Sequence, residues 1–382
     1  MNRLLLLSFF VVAFGHIHAQ TVQTGSFVYD GITRSYSYYV PASYVPGQAV
    51  PLVMGLHGTS SSGDDFFQYR DFRPFADTAN FIIVNPNGTT MLGISFWNYG
   101  NVFGSTVDDA GFLEALIDTI SAHYSINQQR IYCAGMSNGS FMAYRMACES
   151  NRFAAIGCVT GSMSVSMYNS CTPSYPMPRI HIHGTDDGTN PYAGNSTMKG
   201  IEDVTTFWVT ENNCNPTAAV TNVPNTNTSD NATATRYLYN NGIGGHTIEL
   251  FKVTGGGHTW PGSVMPGSSG NTCMDFDATK ELWRFFSQYE RDQTLAVTEN
   301  ETDQISFWPN PSSELVNIRY ENHVITGIQI NDNQGKTVRF FSGKDIQSVN
   351  VDNLSTGIYH LKITGSGFSK TRKLIISNET GF

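Results

Sequence analysis

An α/β fold built on a mostly parallel sheet flanked by helices, followed by a small all-β sandwich, is predicted by three observations. Short apolar runs alternate with helical periods from Phe27 to about Tyr289. A serine between two glycines stands after one such run and before a helical stretch. Beyond a polar stretch at 291–304 the helical periods stop, and the apolar residues alternate with polar ones.

The first observation rests on Leu52–Leu56, Phe81–Val84, Ile131–Ala134, Ala155–Val159 and Ile180–His183. Runs this short and this apolar read as strands buried on both faces, as in a parallel sheet. Arg34–Val40 alternates instead, as an edge strand does. Between these runs, Leu113, Leu116, Ile117, Ile120 and Tyr124 follow helical spacing within 107–124. Asp108 and Asp109 fall in its first turn, where the helix dipole favours negative charge. Leu282, Phe285, Phe286 and Tyr289 give a final helix the same stripe. Strands alternating with helices imply βαβ units. Residues 216–234, rich in Thr, Asn and Ala and without period, read as a mobile surface loop. The stretch 291–304 reads as a linker. In 305–382, Val316/Ile318/Tyr320, Ile328/Ile330, Val338/Phe340 and Tyr359/Leu361/Ile363 alternate with polar residues, giving the strands of the sandwich.

The chain has 382 residues, 40% hydrophobic and 14% charged, with a net charge of −9. Residues 305–382 hold eight Lys/Arg against six Asp/Glu, so the remainder, with 14 against 25, carries the acidity. An acidic body excludes nucleic acid and anionic membrane as partners, because like charges repel. Residues 1–19 read as a signal peptide: Arg3 begins it, Leu4–Phe14 is apolar but for Ser8, and Ala19 is a small residue before the cleavage point. No later stretch is long enough for a membrane helix. Export permits disulfides. Cys133 and Cys158 sit in apolar runs and read as buried thiols, whereas Cys148, Cys171, Cys214 and Cys273 lie at helix ends or loops with their pairing open. No Cys or His spacing of metal type is present. His181 and His183 alternate on one strand face, but no third ligand is nearby in sequence.

Gly135-Met-Ser137-Asn-Gly139 carries the chemistry. A strand before and a helix after are the context of a nucleophile elbow, a turn so tight that small residues must flank the serine two positions to either side. The turn lifts the hydroxyl above the sheet and aims a helix N-terminus at a developing oxyanion. A serine needs a base. Active residues of such sheets lie beyond the carboxyl ends of the strands. His246 precedes the strand Ile248–Val253 and so falls at the wrong end; His258 follows it in Gly255-Gly-Gly-His-Thr-Trp260. The orienting acid belongs between Ser and His in chain order. Asp186 and Asp187, just after Ile180–His183, both satisfy that order, and the residues alone separate them weakly. Asp275 and Asp277 come too late, and His57 comes before the serine, an order this fold does not use. His57-Gly-Thr-Ser-Ser-Ser-Gly63 follows the third strand as an oxyanion loop should, with the backbone N–H groups of Thr59 and Asn138 as its donors. Trp97 and Trp260 lie in loops at the same end of the sheet. Each either stacks on substrate or packs its loop onto the domain.

Together, Leu56-His-Gly, Trp97-Asn, Val107–Leu113, Arg130-Ile-Tyr, Gly135–Gly139, Met142–Arg145, His183–Asp187 and Gly256–Gly262 resemble the extracellular polyhydroxybutyrate depolymerase and feruloyl esterase group, carbohydrate esterase family 1, over about residues 26–290. The resemblance implies an α/β-hydrolase. In that family the acid is the fifth residue of the His-Gly-Thr-x-Asp block with Pro-Tyr four residues on. Pro191-Tyr192 keeps this spacing, so the resemblance implies Asp187. The double cysteine that many members carry after Trp-Asn is missing from Trp97-Asn-Tyr-Gly-Asn, so that disulfide is not expected. Trp308–Ser312, Val316-Asn-Ile318, Leu354–Tyr359 and Lys373–Ser377 resemble the C-terminal sorting domain of the Bacteroidetes type IX secretion system. The implied partners are therefore an ester substrate, polysaccharide-linked or polyester, and the secretion machinery. The implied activity is carboxylic-ester hydrolysis through an acyl-enzyme, which calls for no metal and no organic cofactor. Feruloyl or acetyl esters of plant xylan stand first as substrate, hydroxybutyrate polyester second. A serine peptidase and an inactive binding protein on the same scaffold are the rival readings.

Overall fold

The computed structural model describes residues 21–263, 269–291, 305–310, 312–320, 323–332, 336–365 and 368–376. The leader expected over 1–19 and, but for Arg291, the linker expected over 291–304 lie outside them. The chain forms two compact units, Met1–Ala296 and Val297–Phe382.

The first unit opens with a hairpin, β1 (Gln23–Tyr29) and β2 (Ile32–Tyr39), joined by Asp30-Gly31 with both residues at positive φ. That is the turn whose twist suits two antiparallel strands. Then follow β3 (Val50–Leu56), α1 (Gly63–Tyr69), α2 (Arg73–Ala79), β4 (Ile82–Pro86) and a small hairpin of β5 (Thr89–Met91) with β6 (Ile94–Phe96). Next come α3 (Asp109–His123), β7 (Ile126–Met136), α4 (Asn138–Glu149), β8 (Ala155–Val159), α5 (Val165–Ser170) and β9 (Arg179–Gly184). The unit closes with α6 (Ile201–Glu211), β10 (Ala219–Asn222), β11 (Thr233–Tyr239), β12 (Ile248–Thr254) and α7 (Ala278–Phe286).

Ten of these strands form one sheet in the order β1-β2-β4-β3-β7-β8-β9-β12-β11-β10. The six from β4 to β12 run parallel, and antiparallel pairs close both edges. β3, β4 and β8 are buried along their whole length, as strands covered by helices on both faces must be. One core face gathers Leu52, Met54, Ile131 and Cys133 with Leu116 and Ile117 of α3; the other gathers Val53, Ile83 and Tyr132 with Leu282, Phe285 and Phe286 of α7. Successive residues of a strand thus serve opposite layers. The chain passes from β3 to β4 on one side and then crosses back to β7 on the other. This reversal is the switch point beyond which α/β sheets open a crevice.

Two expectations need correction. Residues 216–234 are not simply a loop, since they hold β10 and the start of β11. All four residues of β10 are exposed on an edge strand, so no buried face imposed an alternation to read. Asp109 is not only a helix-dipole residue. It is fully buried in an ion pair with Arg34, 2.6 Å away, while Asp108 caps α3 by accepting the Gly111 N–H. Of the four cysteines left open, Cys148 and Cys171 form a disulfide that ties the end of α4 to the end of α5; Cys214 and Cys273 are buried thiols, as are Cys133 and Cys158.

In the second unit β13 (Ile305–Trp308), β14 (Leu315–Tyr320) and β17 (Ser348–Asn350) form one antiparallel sheet. A second contains β15 (Ile325–Asn331), β16 (Thr337–Ser342), β18 (Gly357–Gly365) and β19 (Phe368–Ile376). Val316, Ile318, Ile328, Ile330, Leu361 and Ile363 share one core between them. Phe340, expected on the inner face, is 66% exposed.

Candidate active site

Ser137 follows β7 directly and stands as the N-cap of α4 at φ 55°, ψ −120°, a strained backbone that few non-glycine residues adopt. Both flanking glycines are required: a Cβ on Gly135 would collide with the Gly139 carbonyl, and one on Gly139 with the carbonyls of Leu56 and His57. Elbow, following helix and the loop after β3 therefore press on one another through bare backbone. A Cβ on Gly58 would come 3.4 Å from the Ser137 Cβ, which puts that loop beside the nucleophile.

The loop after β9 carries Asp187 and the loop after β12 carries His258. His258 Nδ1 lies 2.8 Å from Asp187 Oδ2, with the carboxylate fully buried and the imidazole 13% exposed. The other oxygen, Oδ1, accepts the N–H groups of Thr189 and Asn190 at 2.9 and 2.8 Å. Burial alone would push this carboxyl up, but hydrogen bonds from His183 and His258 hold it well below the usual carboxylate range. Asp186 is exposed and accepts only the Thr185 hydroxyl among the described residues. The structure thus brings Asp187 and not Asp186 to the imidazole. His246 lies at the opposite end of β12, buried beside the Tyr175 hydroxyl.

Behind Asp187 runs a row of buried groups. His183 Nε2 lies 2.8 Å from the Asn190 carbonyl and 3.3 Å from Asp187 Oδ2; His183 Nδ1 lies 3.1 Å from His181 Nε2. His181 Nδ1 lies 2.7 Å from the Tyr144 hydroxyl, to which Arg179 Nη1 donates at 2.9 Å. With both imidazoles neutral, one set of proton positions satisfies every link. Arg179 can only donate and the Asn190 carbonyl and Asp187 can only accept, so Tyr144 accepts from Arg179 and gives its own proton to His181. His181 in turn donates to His183, and His183 to Asn190 and Asp187. Burial forces His181 well below its ordinary pKa and so keeps it neutral, as the row requires. The alternation of His181 and His183 on one strand was visible in sequence, but their partners come from α4 and from the loop after β9.

On the other flank, the loop after β3 is fixed by neutral groups. His57 is buried, with Nδ1 2.7 Å from the Gly58 carbonyl and Nε2 accepting the Gly88 N–H at 2.9 Å. Burial pushes its pKa down to about 4. With its one lone pair engaged, it is unavailable as a base. Asn138 is the first residue of α4, so its N–H has no partner within the helix. Its side chain is buried, accepting the Trp97 N–H at 2.5 Å and donating to the Trp97 carbonyl at 3.1 Å. Thr59, in the turn after Gly58, is exposed.

The two tryptophans do not present stacking faces. Trp97 and Trp260 are both fully buried. Trp97 donates from Nε1 to the His57 carbonyl at 3.0 Å, so together with the Asn138 clamp it ties the loop after β3, the end of β6 and the elbow into one unit. Trp260 packs edge-on against Phe66 and donates to the Thr279 hydroxyl. An indole with no exposed surface cannot cover a substrate ring, so both are packing and positioning residues.

Sequence reasoning missed Arg70. Its Nε and Nη2 lie 3.1 and 2.8 Å from the Met136 sulfur, immediately before Ser137, and its guanidinium faces Phe66 and Trp260. Burial lowers its pKa only to about 10, so it stays charged, and among the described residues it has no ion-pair partner. Arg70 stands among aromatic residues in Phe66-Phe-Gln-Tyr-Arg-Asp-Phe72, with Arg73 close behind, and nothing in that stretch points to Met136 as its partner. Among the described residues one metal-like grouping exists elsewhere, Asp230, Cys273 and Asp275. Its carboxylates already accept N–H groups of Met274, Thr226 and Asn227, which knit two loops together.

Comparison with known proteins agrees with this architecture. Residues 34–183 match the family model described as esterase PHB depolymerase, and residues 306–377 match the secretion system C-terminal sorting domain. The putative esterase NocK of Nocardia uniformis subsp. tsuyamanensis is 26% identical over 63% of this chain and 74% of its own length. A probable feruloyl esterase C of Aspergillus terreus is 27% identical over 47% of this chain and 63% of its own. Poly(3-hydroxyalkanoate) depolymerase C of Paucimonas lemoignei is 23% identical over 62% and 60%. The chain thus spans less than two thirds of the length of the last two. Residues 34–183 thus match an esterase domain of the depolymerase family, and the sorting domain matched over 306–377 marks the chain for secretion or the cell surface.

Proposed function

We propose that the protein is an exported serine carboxylic-ester hydrolase working through an acyl-enzyme, with feruloyl or acetyl esters of plant xylan as its substrates. The observation that carries this reading is the strained Ser137 at the tip of β7, with a buried Asp187–His258 pair on neighbouring strands.

In this reading Ser137 Oγ attacks the ester carbonyl carbon while its proton passes to His258 Nε2. The Thr59 and Asn138 N–H groups receive the negative charge on the carbonyl oxygen. Asp187 holds the imidazole with Nδ1 protonated and stabilises its cation. Collapse of the tetrahedral intermediate breaks the bond to the alcohol, which leaves with the proton from Nε2. Water repeats the sequence on the acyl-enzyme and releases the acid. Hydroxybutyrate polyester is the second substrate reading, supported by the depolymerase family match.

Hydrolysis of methyl ferulate, acetylated xylan and a hydroxybutyrate trimer, measured side by side, tests the assignment. Ser137→Ala should lose ~10³-fold or more in turnover while still binding substrate. Near wild-type turnover in that variant would place the nucleophile elsewhere. We assign the second unit to export and not to catalysis. A chain ending at Arg291 keeps the Arg291 N–H on the Gln129 carbonyl and the Tyr132 hydroxyl on the Tyr289 carbonyl. It should fold, hydrolyse esters with unchanged kcat and fail to leave a host that exports the full chain. Unfolding of that truncated chain would show the two units to be one.

A further inference from the structure

We infer that the cavity between the oxyanion loop and the β5–β6 hairpin is a binding subsite for a neutral saccharide, the glycan portion of an ester substrate. The inference rests on the proposed ester hydrolase and goes beyond it in naming where the polymer sits. The cavity has a volume of about 730 Å³. Ser61 and Ser62 of the oxyanion loop line one wall, Thr89 and Thr90 of the hairpin another, and Arg34 of β2 lies in its lining with them.

Three observations point to a ligand and to its chemistry. First, two atoms in this lining are buried without a partner: Nη1 of Arg34 and Oγ1 of Thr89. Leaving such groups unpaired costs about 1–3 kcal/mol each, and a small movement of the wall that carries them would give both an external partner. Second, the Arg34 charge is already neutralised by Asp109 at 2.6 Å, and its remaining donor therefore suits an uncharged oxygen better than an anion. A wall of hydroxyls, each able to donate and accept, matches the vicinal hydroxyls of a sugar. Third, the hairpin that walls the cavity ends in exposed apolar residues. Met91, which lines the cavity, and Ile94 are each 37% exposed, and Leu92, at the hairpin turn, is 96% exposed. Exposed apolar side chains grouped beside a polar cavity mark a contact surface. A pyranose, with hydroxyls around its edge and C–H groups on its faces, meets both.

The subsite is fixed in relation to the nucleophile. The Ser60 N–H donates to the Ser95 carbonyl at 2.8 Å, and the Ser95 hydroxyl donates to the Ser61 carbonyl at 2.7 Å, so the hairpin is stapled to the oxyanion loop. A glycan held there is therefore held at a set distance from Ser137. This places recognition in the hairpin that precedes Trp97 and not in the buried indole itself.

The test uses the full chain carrying Ser137→Ala, titrated calorimetrically with xylopentaose, with Thr89→Val and Leu92→Asn as separate second substitutions. Valine keeps the shape of threonine without its hydroxyl, and asparagine tolerates the positive φ of Leu92. Xylopentaose should bind, and each second substitution should weaken it at least fivefold. In the active enzyme the same substitutions should lower the preference for a feruloylated arabinoxylan oligosaccharide over methyl ferulate at least fivefold. If xylopentaose does not bind, or binds equally to both variants, the subsite is refuted. If xylopentaose binds as expected but no feruloyl or acetyl ester is cleaved, the substrate reading fails and the subsite stands. If a hydroxybutyrate trimer binds with loss in both variants while xylopentaose does not, the cavity belongs to a polyester and the inference is overturned.

Discussion

On one side of Ser137, the loops after β9 and β12 bring together an ionised carboxylate and a row of imidazoles. On the other, the loops after β3 and β6 bring together amides, carbonyls and a histidine locked neutral, with one buried cation beneath. The first side is arranged to carry a positive charge on His258: Asp187 is buried, accepts four donors and is held deprotonated. The second offers donors and a positive charge: the Asn138 N–H at the start of α4 has no partner within the helix, and Arg70 keeps its charge next to Met136. Ester hydrolysis separates charge in this sense. The contrast teaches that the two sides should fail differently when cut, one through protonation and tautomer, the other through geometry and field.

The largest expected effect is on the acid side. Asp187→Asn should lower kcat by ~10³–10⁴-fold, because an amide cannot favour the Nδ1-protonated imidazole. Asp186→Asn should change it less than twofold, and stopped-flow kinetics on a nitrophenyl ester would separate the two. Equal losses would dissolve the distinction between the aspartates. Next comes the field on the opposite side. Arg70→Met should lower kcat by about tenfold with KM little changed, since a charge acting on the transition state alone is lost. The thermal midpoint should hold or rise, because the variant replaces a buried unpaired charge by a thioether among apolar groups. A fall in stability without a fall in kcat would make Arg70 a packing residue. Smaller still, Trp97→Phe removes the bond to the His57 carbonyl and part of the buried ring that packs on His57. It should lower kcat severalfold on every ester tried, large or small. A loss confined to aromatic or polysaccharide esters would restore the stacking role that its burial denies.

The last expected effect concerns pH and stability and not turnover. Folded His57 has its pKa pushed down to about 4, whereas an unfolded histidine titrates near 6.5. Between those values the unfolded chain binds the extra proton, so stability rises with pH there and is lost as pH falls from about 6.5 towards 4. The loss is on the order of 3 kcal/mol. Buried His181 acts in the same direction, and Asp187 adds its own loss at lower pH, where the depressed carboxyl finally protonates. Urea midpoints measured from pH 7 to 4 should fall steadily. His57→Gln should flatten that fall, and an unchanged slope would mean that His57 is protonated in the folded state.

The parts of this molecule that were legible in sequence are those where one residue type answers one local demand. Gly135 and Gly139 stand where a Cβ would strike backbone, and apolar runs stand where both faces are covered. Chain order and strand ends were enough to set His258 apart from His246. What stayed hidden depends on partners distant in sequence. Trp97 in a loop reads alike whether it faces solvent or braces His57, forty residues away, and only its bond to that carbonyl separates the two. Arg34 shows no sign of Asp109, nor Tyr144 of His181 and Arg179. β5 and β6, three residues each, are too short to show a period, although the hairpin they form walls the cavity.

The row of groups from Arg179 to Asp187 has a meaning for the population as well as for the single molecule. A file of hydroxyls and imidazoles closed at both ends by groups that can give or take would exist in two mirror arrangements of its protons, as the hydrogens of ice do. With both imidazoles neutral, a guanidinium at one end and a carboxylate at the other remove that choice, and every such copy of the protein carries the same arrangement. Asp187 therefore meets a donor from His183 in all of them, and His258 is presented in one tautomer. Acylation of such a population should run as a single exponential phase, with no slow fraction waiting for its protons to reorder.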